Sequence, residues 1–170
     1  MIVRPIIRED AEAIHEIHIA CLTRTLLGRY TREQIAAWMD GRTPEGYVRA
    51  SQAGERFFVA EVDGVVVGYA SWEDDELLSL FVHPDCHSQG IGSALIGTCL
   101  ADAESTGGAI AKVKSVLGAE TFYAKHGFAP EGRGSTVKRG VEIPDTRMRR
   151  ERPGEALHLS ATPRAKPFQL

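Results

Sequence analysis

One stretch of the chain, residues 77–100, constrains its fold more than any other. Residues 77–82 are apolar at five of six positions and carry large side chains on both alternating faces, which predicts a strand buried on both sides. Pro84 ends this strand because it lacks an amide donor, and Gly90 and Gly92 then open a helix. Unpaired N–H groups and the dipole at a helix start favour negative charge, and glycines let a phosphate approach the backbone. We therefore interpret this stretch as a cradle for a pyrophosphate group.

Two common phosphate-binding motifs do not fit the cradle. A P-loop requires a Lys-Ser/Thr pair after its glycines, and no such pair follows Gly92. A dinucleotide-binding motif would place a third glycine or alanine where Leu95 stands, and an acidic residue at the end of the following strand, about 20 residues on. The sequence has neither feature, which points to a different kind of phosphate-binding fold.

Residues 87–92, which read His-Ser-Gln-Gly-Ile-Gly, resemble motif A of the GCN5-related N-acetyltransferases (GNAT). That motif follows the pattern Gln/Arg-x-x-Gly-x-Gly/Ala after a strand that ends in Val-x-Pro, as Val82 and Pro84 do here. His87 takes the position of the usual Gln or Arg. A histidine can still donate a hydrogen bond to a phosphate, but it carries a full charge only below its pKa near ~6.5.

A second motif follows at the separation expected of the same family. Phe122 and Tyr123, followed by Gly127 and Phe128, resemble the Phe-Tyr-x-x-x-Gly-Phe of motif B, in which a strand leads into a helix. Gly127 is expected to end that helix in a left-handed conformation. The two motifs occur in the family's order, and the resemblance covers roughly residues 1–150.

The resemblance implies a fold and a cofactor. The expected fold is α/β (α+β), with a central mixed but mostly antiparallel sheet of six to seven strands and about four flanking helices. Strands 4 and 5 of this fold splay apart, and the pantetheine arm of coenzyme A inserts between them. By resemblance these are the strands predicted at 77–82 and 109–116. Acetyl-CoA is the implied cofactor, and no metal is expected.

The resemblance also implies the roles of individual residues. Tyr123 holds the family's position for the acid that protonates the departing thiolate, and a phenol with a pKa near ~10 can serve as such a donor. The amide near Val82 would polarise the thioester carbonyl. The implied cofactor contacts are Phe81, Val82, His87, Ser88, Gln89, Gly90, Ile91, Gly92, Ser93 and Phe122. The base that deprotonates the amine stays open between water and five side chains, Glu73, Asp75, Glu76, His83 and His18.

Local signals define the other elements. Asp10 is expected to cap a first helix, whose apolar face includes His18, interpreted as a partly buried helix residue. Thr31 and Gln34 form a capping box for a second helix. Residues 42–56 are polar and are expected to form a loop with a short helical turn. The Asp-Gly pair at 63–64, between two apolar runs, predicts a β-hairpin.

Length and charge limit the functional classes. A chain of 170 residues suits one domain, which we expect at residues 1–150, with a flexible tail at 151–170. The net charge of −3 does not favour nucleic acid as a partner, and no apolar run approaches the roughly 20 residues needed to span a membrane. Three cysteines without CxxC spacing favour a reducing, cytoplasmic location. A homodimer is left open.

These inferences lead to one functional hypothesis and one alternative. The hypothesis is an acetyl-CoA-dependent N-acetyltransferase that moves the acetyl group directly to a primary amine, with a small-molecule acceptor favoured over a protein. The alternative is a non-catalytic acyl-CoA-binding module of the same fold. Tyr123 favours catalysis, whereas the histidine at position 87 favours weakened cofactor binding.

Overall fold

A computed structural model describes residues 1–151 of the chain. These residues form one seven-stranded sheet in the order β1-β2-β3-β4-β5-β7-β6, in which β4 and β5 pair in parallel and all other neighbours are antiparallel. The strands are β1 (Ile2–Pro5), β2 (Arg56–Val62), β3 (Val65–Glu73), β4 (Glu76–Val82), β5 (Lys112–Ser115), β6 (Phe128–Lys138) and β7 (Val141–Arg150). The mixed, mostly antiparallel sheet is the one predicted. The predicted tail, apart from residue 151, lies outside the described residues, and the domain boundary at 150 stays a prediction.

Within residues 1–151, five α-helices accompany the sheet, where about four were expected. They are α1 (Ala11–Ala20), α2 (Arg32–Met39), α3 (Pro44–Ala53), α4 (Ile91–Ser105) and α5 (Glu120–Ala124). A π-helical turn, Cys21–Thr25, extends α1 toward α2. No helix among residues 1–151 has both the length and the apolar character required to cross a lipid bilayer.

The apolar side chains pack in layers on the two faces of the sheet. On one face α4 contributes Leu95, Ile96 and Cys99, all fully buried. Gly68 of β3 permits this close packing, because a Cβ at that position would lie 3.1 Å from the Leu95 side chain. On the other face α1 and α3 cover the sheet, with Ile14, Ile17 and Tyr47 packed against Val59 and Tyr69.

The stretch predicted as a loop contains the helix α3. Thr43 caps this helix by accepting a hydrogen bond from the N–H of Gly46 at 3.3 Å, and Pro44 occupies its first turn, where a missing N–H costs nothing. Gly54 ends it with a φ of 126°. The prediction of a loop with only a short helical turn was wrong because the helix is polar on average and buries only Tyr47 fully, so few apolar side chains mark it in the sequence.

Two further expectations need correction. The strand predicted at 109–116 is shorter in the structure, where β5 spans Lys112–Ser115. Ile110 and Ala111 precede it, and pairing with β4 begins only at Lys112. Asp10 precedes α1 as expected, but its carboxylate accepts no hydrogen bond from that helix. It binds Arg4 and the N–H of Ile7 instead, at 2.7 Å and 2.8 Å.

The Asp10 carboxylate anchors the N-terminus of the chain. Burial alone would raise the pKa of Asp10, but hydrogen bonds from Arg4 and from the Ile7 N–H outweigh burial and lower it. Replacing Asp10 with Asn should lower the free energy of unfolding at pH 7 by about 1–3 kcal/mol. Because the folded pKa is depressed, this loss is present above the unfolded pKa of ~3.9 and disappears as pH falls through the folded pKa.

Urea unfolding of wild type and the Asp10→Asn variant between pH 2 and 7 measures this difference. Glu12→Gln, which removes an exposed carboxylate from α1, is the matched control and should change stability little at any pH. A difference between wild type and Asp10→Asn that stays constant down to pH 2 would show that the carboxylate charge is unimportant.

Candidate active site

The two parallel strands separate soon after they pair. Only Glu76 and Leu77 of β4 face partners on β5, and beyond them a cavity of about 720 Å³ opens between the strands. Every predicted site residue except Gln89 lines this cavity. The predicted splay is therefore present, and it brings motif A, motif B and the end of β4 together.

The splay also corrects the expectation that β4 is buried on both sides. Leu77 is fully buried, but Leu78 is 43% exposed and the rest of the strand is half-buried. These side chains line the cavity, because β5 has left the edge of β4 by this point. A strand that borders a ligand cleft has the same apolar sequence as one in a closed core.

The end of β4 presents backbone groups to the cavity. Val82 lies opposite Gly68, and the N–H of His83 donates to Val67 at 2.8 Å on the β3 side. In this antiparallel register the N–H and C=O of Val82 itself point away from β3, toward the cavity. An extended ligand arm could therefore pair with Val82 as an added strand would.

The glycine-rich turn builds the start of α4. Gly90 caps the helix with a φ of 77°, and Ser88 also takes a left-handed conformation, with a φ of 64°. Gly92 lies against Phe122 of α5, since a Cβ on Gly92 would come within 3.2 Å of that ring. The first N–H groups of α4 thus open toward the cavity without a side chain at Gly90 to cover them.

The His87 ring turns toward the strand. Its Nε2 lies 2.8 Å from the carbonyl oxygen of Val82, and the thiol of Cys21 donates to the same oxygen at 3.1 Å. Burial raises the pKa of Cys21 to about 12, so this thiol stays protonated and can donate. A contact between His87 and a phosphate would require the ring to leave Val82, and its role as a phosphate ligand stays a prediction.

Tyr123 lies on the short helix α5 and is only 6% exposed. Its ring packs between Phe122 and Phe128, with centroid distances of 5.2 Å and 6.1 Å. Burial raises the pKa of Tyr123 above its ordinary value, so the phenol keeps its proton at neutral pH. Within residues 1–151 its hydroxyl makes no hydrogen bond. Gly127, with a φ of 86°, follows the helix as predicted.

His18 is more deeply buried than expected and contributes to the cavity wall. It is 1% exposed, its Nδ1 lies 2.7 Å from the Tyr69 hydroxyl and 3.0 Å from the Tyr47 hydroxyl, and its ring stacks on Phe81 at 4.3 Å. Burial, followed by the positive charge of Arg42, lowers the pKa of His18, so the imidazole is neutral near pH 7. Only the tertiary structure shows this network, since Tyr47 belongs to the helix that was predicted as a loop.

The structure reduces the number of side chains that could deprotonate the attacking amine. Of the five considered, Glu76 and His18 line the cavity, and Glu73, Asp75 and His83 do not. Glu76 forms an ion pair with Lys114 at 3.2 Å. Asp75 lies in the turn between β3 and β4 and pairs with Lys112 at 3.0 Å. His83 accepts a hydrogen bond from the N–H of Asp85 at 3.3 Å.

Comparisons with known proteins agree with this geometry. An uncharacterized N-acetyltransferase from Methanocaldococcus jannaschii is 46% identical over 46 residues, which is 25% of this chain and 30% of that protein. The chain thus spans less than a third of that curated relative. The structure of a GCN5-related N-acetyltransferase from Rhodopseudomonas palustris matches with a TM-score of 0.79 and 28% identity, covering 88% of this chain and 94% of the other.

A further solved structure carries the cofactor. The PaiA N-acetyltransferase from Thermoplasma acidophilum, in complex with coenzyme A, matches with a TM-score of 0.71 and 22% identity, over 89% of this chain and 98% of the other. At that identity the likeness concerns the fold alone. The family model for the acetyltransferase (GNAT) domain matches residues 26–152, about three quarters of the chain. With the splayed strands and both motifs in place, the chain belongs to the GNAT acetyltransferase family.

Proposed function

We propose that this chain transfers the acetyl group of acetyl-CoA directly to the primary amine of a small acceptor, without a covalent enzyme intermediate. Acetyl-CoA is the donor in this family. The observation that carries the proposal is the cavity between β4 and β5, where the backbone N–H of Val82, which points away from β3, and the buried hydroxyl of Tyr123 line the same space. Cofactor and acceptor would meet there.

The chemistry follows from these groups. The neutral amine attacks the thioester carbonyl, and the N–H of Val82 would stabilise the negative charge that develops on its oxygen. The tetrahedral intermediate collapses with cleavage of the C–S bond, and Tyr123 gives its proton to the departing thiolate. The amine loses a proton to water or to a cavity side chain. The phenolate formed on Tyr123 then regains a proton from solvent, which restores the enzyme.

The cofactor would be held along one wall of the cavity. The pantetheine arm would lie beside the edge of β4, and the diphosphate would rest on the N–H groups at Gly90, Ile91 and Gly92. Ser93 and Phe122 would border it. These assignments carry over the roles implied by the two motifs, and they are consistent with the position of the residues along the cavity.

A thermal melt with and without acetyl-CoA tests the donor. At a ligand concentration about 100-fold above its dissociation constant, binding stabilises a protein by roughly 2.7 kcal/mol. For a chain of this size the melting temperature should rise by about 5–10 °C. Coenzyme A without the acetyl group serves as the comparison, because it shares the cradle but not the thioester. No rise with millimolar acetyl-CoA would contradict the proposal.

The alternative is a non-catalytic acyl-CoA-binding module. The hydrogen bond between the His87 ring and the carbonyl oxygen of Val82 favours this alternative, because a cofactor arm that pairs with β4 would need the same oxygen. Release of free thiol from acetyl-CoA, measured over time with a panel of amines, separates the two. A binding module would melt at a higher temperature with acetyl-CoA and release no thiol above the rate without protein.

A further inference from the structure

The cavity has a second end, away from the glycine-rich turn. It lies between the loop that joins α2 to α3 and the β6–β7 hairpin, and we call it the acceptor end. Trp38 supplies apolar surface there, and three cations also line it, Arg42, Lys114 and Lys138. The charges of these three side chains distinguish this end from the cofactor wall.

The three cations differ in their partners. Lys114 is neutralised by Glu76 at 3.2 Å. For Arg42 and Lys138 no carboxylate of the described chain, residues 1–151, lies within 4.0 Å. Arg42 uses its Nε to donate to the backbone oxygen of Trp38 at 2.9 Å, which orients the guanidinium, and the guanidinium also lies beside the Tyr47 hydroxyl, which it can reach with one hydrogen bond. A guanidinium has five N–H donors, so further donors remain for a ligand.

The neighbouring carboxylates do not form ion pairs with Arg42 or Lys138. The charge of Arg42 acts on the half-buried Glu55, but the two side chains are more than 4.0 Å apart. Asp145, which also lines the cavity, accepts a hydrogen bond from Thr136 at 3.3 Å through Oδ2, and its Oδ1, 3.9 Å from Arg147, has no hydrogen-bond partner among residues 1–151. Asp40 pairs with Arg139 at 2.7 Å. The contact between Asp40 and Arg139 joins the α2–α3 loop to the β6–β7 hairpin, and it holds the neighbouring Arg42 and Lys138 at a common site.

Arg42 and Lys138 lie close together and are partly withdrawn from water. Both line the main cavity and also a smaller adjoining one of about 230 Å³. Both are half-buried, and burial followed by the charge of Arg42 lowers the pKa of Lys138. Two like charges held together without an ion-pair partner within 4.0 Å repel each other in the free protein, and an anionic ligand between them would relieve the repulsion.

This cation pair is near the place of reaction. The charges of Arg42 and Lys138 both act on His18, whose ring stacks on Phe81, the residue before Val82. An anionic group bound by the pair would therefore belong to the same small molecule as the amine that attacks the thioester. Arginine is suited to a planar carboxylate, because two of its N–H groups match the two carboxylate oxygens.

We infer that the acceptor is a small amine that also carries a carboxylate, such as a free α-amino acid, and that Arg42 and Lys138 bind this carboxylate. The inference rests on the proposed acetyl transfer and specifies its acceptor. Amines with additional positive charges would be repelled by the same pair. An amine whose carboxylate is converted to an amide would lose the charge-assisted hydrogen bonds while keeping its size and its amino group.

The test compares amino acids with their own amides. The full chain is supplied with saturating acetyl-CoA and each of the twenty L-amino acids, their carboxamides, and putrescine as a dication, and release of thiol is followed. For the best acid, kcat/KM should exceed that of its amide by roughly 10–100-fold. The amide has the more acidic ammonium group and therefore more neutral amine, so this bias acts against the inference.

Two variants connect this selectivity to the cation pair. Arg42→Gln and Lys138→Gln should each lower kcat/KM for the amino acid by roughly tenfold or more, mainly by raising KM. In both variants kcat/KM for the amide should fall much less. Arg32→Gln, which removes an exposed positive charge from α2 outside the cavity, should change kcat/KM for neither substrate. The ratio of acid to amide is the readout, because a general folding defect would lower both rates together.

Three results would overturn the inference. The first is amides or putrescine being acetylated as efficiently as the acids. The second is an unchanged ratio of acid to amide in both cavity variants. The third is no turnover of any acid by a protein whose melting temperature still rises with acetyl-CoA. If acetyl-CoA fails to raise the melting temperature at all, the proposed acetyl transfer fails first and the acceptor inference fails with it.

Discussion

Replacing Tyr123 with Phe should lower kcat by about 10²–10⁴-fold, the range that a positioned acid or base contributes. The hydroxyl is buried in the cavity, and its raised pKa keeps it protonated up to about pH 10, so it can donate to a departing thiolate over the whole working range. The dissociation constant for acetyl-CoA should stay within about threefold of the wild-type value, since the phenyl ring remains. Steady-state rates and an acetyl-CoA titration measure the two quantities separately.

The matched control is Tyr30→Phe, in the same cavity wall. The Tyr30 hydroxyl donates to the backbone oxygen of Pro144 and accepts from the N–H of Leu117, both at 2.9 Å. Its loss should reduce the free energy of unfolding by about 1–3 kcal/mol and change kcat by far less than the loss of the Tyr123 hydroxyl. Wild-type turnover in Tyr123→Phe would mean that water or another group protonates the thiolate.

Replacing Gly92 with Val should weaken acetyl-CoA binding by about 100-fold, within the range that overpacking of about 1–3 kcal/mol produces. The new Cβ would lie 3.2 Å and 3.3 Å from two carbons of the Phe122 ring, so its methyl groups must displace that ring or close the entrance between α4 and α5. At a ligand concentration 100 times the wild-type dissociation constant, the variant would gain only about 0.4 kcal/mol. The thermal shift should fall from several degrees to about one.

Gly97 offers the matched control, since it lies on the same helix and a Cβ there would meet nothing within 4 Å. Gly97→Val should therefore keep the full acetyl-CoA shift, although the melting temperature without ligand can change with helix propensity. A full shift in Gly92→Val would show that the cofactor does not pass this side of α4, and the cradle assignment would have to be abandoned.

Local signals in the sequence identified much of the fold correctly. The capping box was confirmed, with Gln34 N–H donating to the Thr31 hydroxyl at 3.1 Å and Thr31 N–H donating to the Gln34 side chain at 2.9 Å. The Asp63-Gly64 turn was also confirmed, with left-handed φ values of 50° and 80°. Such signals are readable because the groups that bond are three or fewer residues apart, so no distant contact is needed to define them.

Predictions that depend on solvent exposure were less accurate. The polar helix α3 was predicted only as a short helical turn within a loop, although Thr43 and Pro44 begin it in the usual way, because its stability depends on packing Tyr47 against α1 and the sheet. The prediction that β4 is buried on both sides was also wrong. Whether an apolar strand faces a core or a cleft depends on where its neighbour leaves it, and that position is not written in the strand itself.

Two motifs and several helix caps, each acting over a few residues, were enough to predict the family and the mixed sheet. Which distant side chains meet could be seen only in the folded chain. It stacks His18 on Phe81, and it brings Arg42 together with Lys138 from opposite halves of the chain. These contacts arise from the way helices and hairpin pack around the splayed strands, and packing depends on the shape of the whole core rather than on local pattern.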